Sequence, residues 1–193
     1  MEERLEWLNI PFEIFLIKTP EDGNCLFHAI CNGFSKSYRK QSVNGGFMSR
    51  NDIVTVFRRE LASKLGEIHP SKRGTRYELI SNGNLKELGD SGRQEYTFNG
   101  LKSWLESNYP MGDEIVEYIS SIIDINIYFL DTRTQDVYNR KCLEILNAPC
   151  IVLFYNGGHY DLCGIMSKGG VMGTLFSYDD PFIKYIRNRI YSR

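Results

Sequence analysis

Six consecutive residues, Cys150-Ile151-Val152-Leu153-Phe154-Tyr155, carry no charged side chain. A run of this length, rich in β-branched and aromatic residues, reads as a strand buried on both faces, and such a strand needs cover above and below its sheet. The turn Asn156-Gly157-Gly158 follows, so residues 159–165 read as the hairpin partner. Upstream, Ile115, Ile119, Ile122 and Ile123 form a helical stripe that begins near Asp113. Residues 125–130 then read as a strand, 131–135 as a turn, and Val137-Tyr138 as a short return strand. The pattern predicts an α/β (α+β) fold, with helices flanking a small central sheet in one domain over 1–193.

The other elements fit around that sheet. Residues 12–17 alternate as a strand and lead to Pro20 and the polar turn 21–24. An apolar run from Leu26 to Phe34 follows, interrupted by His28 and Cys31, with Asp22 or Asn24 as helix caps and Gly33 as a stop. Residues 49–66 form the clearest amphipathic helix: Ser49 caps it, Ile53, Val56, Phe57, Leu61 and Leu65 share a face, and Gly66 ends it. Residues 98–108 are a second helix, with Leu101, Trp104 and Leu105 together and Pro110 beyond. Between them, residues 68–96 are rich in Gly, Ser and charge and predict a surface excursion with one short helical piece inside 77–88.

With 193 residues and 42% hydrophobic content, the chain can bury one well-packed core. A formal charge of −1 gives no reason to expect nucleic acid or an anionic membrane as a partner, and a monomer is expected. The cations of the C-terminal segment, Lys184, Arg187, Arg189 and Arg193, read as favouring the negative end of their own helix dipole. No stretch approaches the roughly 20 apolar residues that span a bilayer. The start, Met1-Glu2-Glu3-Arg4, is too acidic for a secretory signal. Five irregularly spaced cysteines read as free thiols, which places the chain in the cytoplasm or another reducing intracellular compartment.

One of those cysteines carries chemistry. Asp22-Gly23-Asn24-Cys25-Leu26-Phe27 puts a thiol where a polar turn enters a helix. Only the thiolate is an effective nucleophile, and both a helix N-terminus and a neighbouring imidazolium lower a thiol's pKa. The loop's backbone N–H groups, those of Asp22, Gly23, Asn24 and Cys25, can converge on one oxyanion, and the Asp22 carboxylate can brace the loop. Far downstream, His159-Tyr160-Asp161 follows the glycine turn. On a strand, residues two apart share a face, so Asp161 can orient His159 as the third member of a triad. The combination predicts a cysteine hydrolase.

Cys25-x-x-His28-x-x-Cys31 offers a competing zinc set. On a continuous helix, however, residues six apart stand about 240° out of phase and cannot share one ion. His28 therefore reads as a partly buried polar side chain and Cys31 as a core residue. Cys142, Cys150 and Cys163 read as inert, and His69, beside Pro70, as a solvated surface residue.

Asp22-Gly23-Asn24-Cys25-Leu26-Phe27-His28-Ala29 resembles the cysteine box of the ovarian-tumour (OTU) family of deubiquitinating cysteine proteases. Gly158-His159-Tyr160-Asp161-Leu162 resembles that family's histidine box, and Gly112-Asp113-Glu114-Ile115 with the following strand is similar to its helix-then-strand segment. Met111 stands where that segment often has Trp. The resemblance covers about 15–165 and leaves 166–193 as a C-terminal extension packing on the domain. It implies Cys25 as nucleophile, His159 as general base and Asp161 as its orienting residue, with Asp22 shaping the oxyanion loop or acting catalytically. It also implies cleavage of the isopeptide bond after the C-terminal Gly of ubiquitin, through a thioester and with no metal or organic cofactor. Ubiquitin or polyubiquitin chains are the implied partners, in the host cytosol if the protein belongs to a pathogen. Another ubiquitin-like modifier, or a catalytically silent ubiquitin-binding module, is the alternative. Glu21, Asp90, Asp113 and Glu114 are candidate partners for the arginines of ubiquitin's tail, and the stretches 36–48 and 68–96 are candidate contact surfaces.

Overall fold

The computed structural model describes residues 6–8, 11–70, 72–81, 96–139, 144–166 and 170–192. Asp90, Cys142 and Arg193 lie outside them, as does most of the excursion between 82 and 95. The central sheet contains β1 (Ile14–Ile17), β4 (Asn126–Asp131), β5 (Asp136–Tyr138), β6 (Cys150–Tyr155) and β7 (Tyr160–Met166). They lie in the order β1-β7-β6-β4-β5, and β8 (Met172–Gly173) pairs with β7. β4 and β6 run parallel, while the other neighbours are antiparallel. A separate hairpin, β2 (Ser42–Val43) with β3 (Gly46–Phe47), lies within the stretch 36–48.

Side-chain alternation shows why the interiors of β4 and β6 are apolar. Ile127, Phe129, Ile151, Leu153 and Leu162 enter a core on one face of the sheet. Tyr128, Leu130, Val152, Phe154 and Cys163 enter a second core on the other. The first core holds α1 (Cys25–Phe34), α3 (Arg50–Lys64), α5 (Phe98–Glu106) and α6 (Val116–Ile123). Between α1 and α3 lies the short α2 (Lys36–Lys40), and α4 (Arg76–Ser81) is the described helix within the 77–88 expectation. The second core is closed by α7 (Pro181–Tyr191) through Phe182, Ile183 and Ile186. Leu8 joins that core, and its carbonyl accepts from the Tyr185 hydroxyl and from Arg189.

Three local expectations change. Val56 is exposed rather than core-facing, because the buried stripe of α3 runs 53-57-61 together with 54-58-62. That second row buries Arg58. Gly33 does not stop α1; it lies in the last turn, and Ser35 caps the helix. There a Cβ would stand 2.9 Å from Ile151 Cγ2, so the missing side chain lets α1 close onto β6. The α7 cations do more than meet their own dipole: Lys184 pairs with Asp179 at 3.1 Å and Arg187 with Glu144 at 3.3 Å. Met111, in the position often held by Trp, is buried in the first core.

Candidate active site

Cys25 opens α1, where unpaired N–H groups and the positive end of the helix dipole face the thiol. The loop before it turns at Gly23, whose φ is +81° and whose Cβ would meet Pro110 Cγ at 3.1 Å. A side chain is opposed there both by the left-handed backbone and by the neighbouring turn. The Asp22 carboxylate closes the loop: Oδ1 accepts from the Asn24 N–H at 2.9 Å and Oδ2 from His28 Nε2 at 3.1 Å. The Asn24 N–H, an expected oxyanion donor, is therefore committed within the loop.

His28 is fully buried rather than partly so, and both of its ring nitrogens are engaged. Because the carboxylate can only accept, Nε2 carries the proton and Nδ1 accepts from the Tyr38 hydroxyl at 2.7 Å. Burial lowers the His28 pKa, and Asp22 opposes the shift. α1 is continuous from Cys25 through Cys31, so His28 serves as a loop brace within it.

His159 enters from the β6–β7 hairpin. Gly157 and Gly158 have φ of +65° and +108°, as a two-residue turn with the twist of its strands requires. The Asn156 N–H donates to the His159 carbonyl at 3.0 Å and closes the turn. His159 Nε2 lies 3.1 Å from Asp161 Oδ1. The same carboxylate oxygen accepts the Thr19 N–H at 2.8 Å. The Thr19 hydroxyl donates to the Tyr160 carbonyl at 2.6 Å, and its oxygen lies 3.4 Å from His159 Nε2. Thr19 leaves β1, and the β1–β7 ladder, which pairs Ile17 with Leu162, brings it there.

The thiol meets the histidine segment directly, since Cys25 Sγ lies 4.0 Å from the Gly158 carbonyl oxygen. Burial raises the Cys25 pKa above its ordinary value. The amide N–H groups of Tyr160, Leu26 and Cys25 itself oppose that rise, while Asp22 adds to it. Cys25 still offers some surface, whereas Cys150 and Cys163 offer none. Burial pushes Cys150 up to about 11 and Cys31 and Cys163 higher still.

Arg58 is the residue hardest to foresee. It is 1% exposed, and its guanidinium donates to the Asn24 Oδ1 and to three carbonyls: Leu105 at 3.0 Å, Trp104 at 2.6 Å and Tyr109 at 3.0 Å. Among the acids expected to meet substrate arginines, Asp113 is buried and accepts from the Tyr138 hydroxyl at 3.0 Å. Glu114 accepts the Gly112 N–H at 3.0 Å, and Glu21 is exposed. His69 is half-buried beside Lys72 and Arg76 rather than freely solvated.

No family model and no curated protein matches the sequence. Among solved structures, the chain is similar to an ovarian-tumour domain determined in complex with ubiquitin. The match has a TM-score of 0.53 at 18% identity and covers 91% of this chain and 81% of that one. The fold is the OTU fold. Hazara virus OTU bound to ubiquitin matches with a TM-score of 0.49 at 15% identity, covering 80% of this chain and 83% of that one. The OTU protease of Taggert virus matches at 0.46 and 16% identity, over 80% and 81%. Among the described residues, no helix of this OTU fold is long and apolar enough to cross a membrane.

Proposed function

We propose that the chain is a cysteine-type deubiquitinase that hydrolyses the isopeptide bond after the C-terminal Gly of ubiquitin. The observation that supports the reading is an OTU fold in which Cys25 Sγ lies 4.0 Å from the Gly158 carbonyl oxygen while the adjacent His159 meets Asp161, itself held by Thr19. The complex of a similar OTU domain with ubiquitin supplies the substrate class.

Asp161 accepts from His159 Nε2–H, which leaves the Nδ1 lone pair to take the thiol proton. The sulfur then attacks the carbonyl carbon of the terminal glycine. The resulting oxyanion is received by N–H groups of the loop 22–25 other than that of Asn24. The intermediate collapses to a thioester as His159 returns its proton to the departing lysine amine. Water, deprotonated by the same imidazole, hydrolyses the thioester and frees the thiol. Asp22 acts through the loop it braces, away from the reacting atoms.

Ubiquitin bearing a C-terminal thiol-reactive warhead tests this on wild type and Cys25→Ala in parallel. An adduct of one ubiquitin mass in the wild type alone is expected. No wild-type adduct, with Cys25 still the thiol iodoacetamide alkylates fastest, would transfer the reading to another modifier. An unreactive Cys25 would leave only a binding module.

A further inference from the structure

Arg58 is a buried cation whose hydrogen bonds all go to oxygens of neutral groups. Burial lowers its pKa to about 10, with the Asp22 charge acting in the opposite sense. Trp104 and Leu105 belong to the last turn of α5, where carbonyls lack helical partners and the dipole is negative. Arg58 thus caps α5 from inside the protein. Its remaining donors reach Tyr109, on the turn that packs against Gly23, and the Asn24 side chain, immediately before the nucleophile. The guanidinium face also covers the Phe27 ring, with Cζ 4.4 Å from its centre. Arg58 therefore holds the residue before Cys25, a ring two residues after it and the wall opposite Gly23.

We infer that Arg58 is a positioning residue for the nucleophile, fixing the cysteine loop by tying Asn24 to the end of α5 and to the 108–110 turn. Asn24 has no side-chain cap bond to α1, so its amide serves this tie rather than the helix. A lysine could keep the charge but not the geometry, since one ammonium has three donors and no planar fork to span oxygens on three segments. The role rests on Cys25 being the nucleophile, yet it acts on the thiol's chemistry and can be read without ubiquitin.

The test is the pH–rate profile of Cys25 alkylation by iodoacetamide, from about pH 7 to about pH 10, followed at that peptide by mass spectrometry. Wild type, Asn24→Ala, Arg58→Lys and the double variant are compared, with thermal melting alongside. Two of the amides that hold the thiol's pKa down, those of Cys25 and Leu26, directly follow Asn24, so loosening Asn24 moves them off the sulfur. Asn24→Ala should therefore move the profile upward by about one unit, a roughly tenfold slower reaction near pH 7. Arg58→Lys should do the same, and the double variant should match the single ones because each breaks the same tie. An Arg58 that serves only the core would lower the melting temperature of its own variant and leave the Asn24→Ala profile on the wild-type curve. That result, or full additivity in the double variant, overturns the inference. Asn24→Ala decides even if Arg58→Lys fails to fold. Because the probe is iodoacetamide, a protein that ignores ubiquitin but shows these shifts would refute the proposed substrate and uphold the positioning role.

Discussion

Alanine at position 33 sets two effects against each other. In the last turn of α1, replacing Gly by Ala restricts the unfolded chain and favours the helix by about 1 kcal/mol. The added Cβ, however, would stand 2.9 Å from Ile151 Cγ2 and 3.3 Å from Leu162 Cδ1. Both neighbours are fully buried strand residues, and the nearer one is β-branched, so neither can swing aside. Overpacking of such a core costs about 1–3 kcal/mol, and a Cβ at 2.9 Å from a side chain that cannot move takes the upper part of that range, about 2–3 kcal/mol, which exceeds the propensity gain. Gly33→Ala should be destabilised by about 1–2 kcal/mol, which lowers a urea midpoint by roughly 0.5–1 M for a slope near 2 kcal/mol/M. Gly66→Ala is the control: its Cβ would come no closer than 3.7 Å to Phe98, and a change within about 0.5 kcal/mol is expected. A Gly33→Ala variant as stable as wild type, or more so, would refute the claim that α1 closes onto β6 through the missing side chain.

Three further outcomes follow from the site. The unfolded chain binds a proton near pH 6.5 that buried His28 resists, so stability should rise as pH climbs from the depressed folded value to about 6.5 and then level. His28→Gln should shrink the stability difference between about pH 5.5 and about pH 7.5, measured by urea unfolding; an unchanged difference would place that titration elsewhere. Thr19→Val keeps the shape but leaves the buried Tyr160 carbonyl without its 2.6 Å donor, at about 1–3 kcal/mol by denaturation. Brief iodoacetamide treatment at neutral pH should label Cys25 ahead of Cys31, Cys150 and Cys163, and peptide mapping that found Cys163 labelled first would contradict the packing.

Residues read correctly from pattern were those whose neighbours lie close in the chain. β6, its glycine turn and β7 announce themselves through a continuous apolar run and two residues that tolerate positive φ. The Ser49 cap of α3 is likewise local, accepting the Asp52 N–H at 3.1 Å. Arg58 and Val56 failed together. Beside the 53-57-61 row, Val56 is apolar enough to share the face, whereas the charge of Arg58 argues against burying the row of Val54 and Ala62. The choice is made by carbonyls 46 to 51 residues away, which a guanidinium can satisfy and a valine cannot. Thr19 gives no local signal because its partner, Asp161, is 142 residues distant. The free thiol of Cys25 reads from its box, but the upward shift of its pKa depends on how deeply the 158–160 segment covers it.

The β1–β7 ladder also has a meaning in time. Sulfur and histidine segment are 133 residues apart, and at roughly 5–20 residues per second the ribosome needs on the order of 10–30 s to pass from one to the other. Throughout that interval the emerging chain presents a cysteine with neither imidazole nor sheet to dock against. Because β7 is the strand that joins β1 to β6, the same event ties β1 into the sheet and delivers the base. A nascent chain thus lacks the base until the β6–β7 hairpin has emerged, and the docking of β7 works as the arming step.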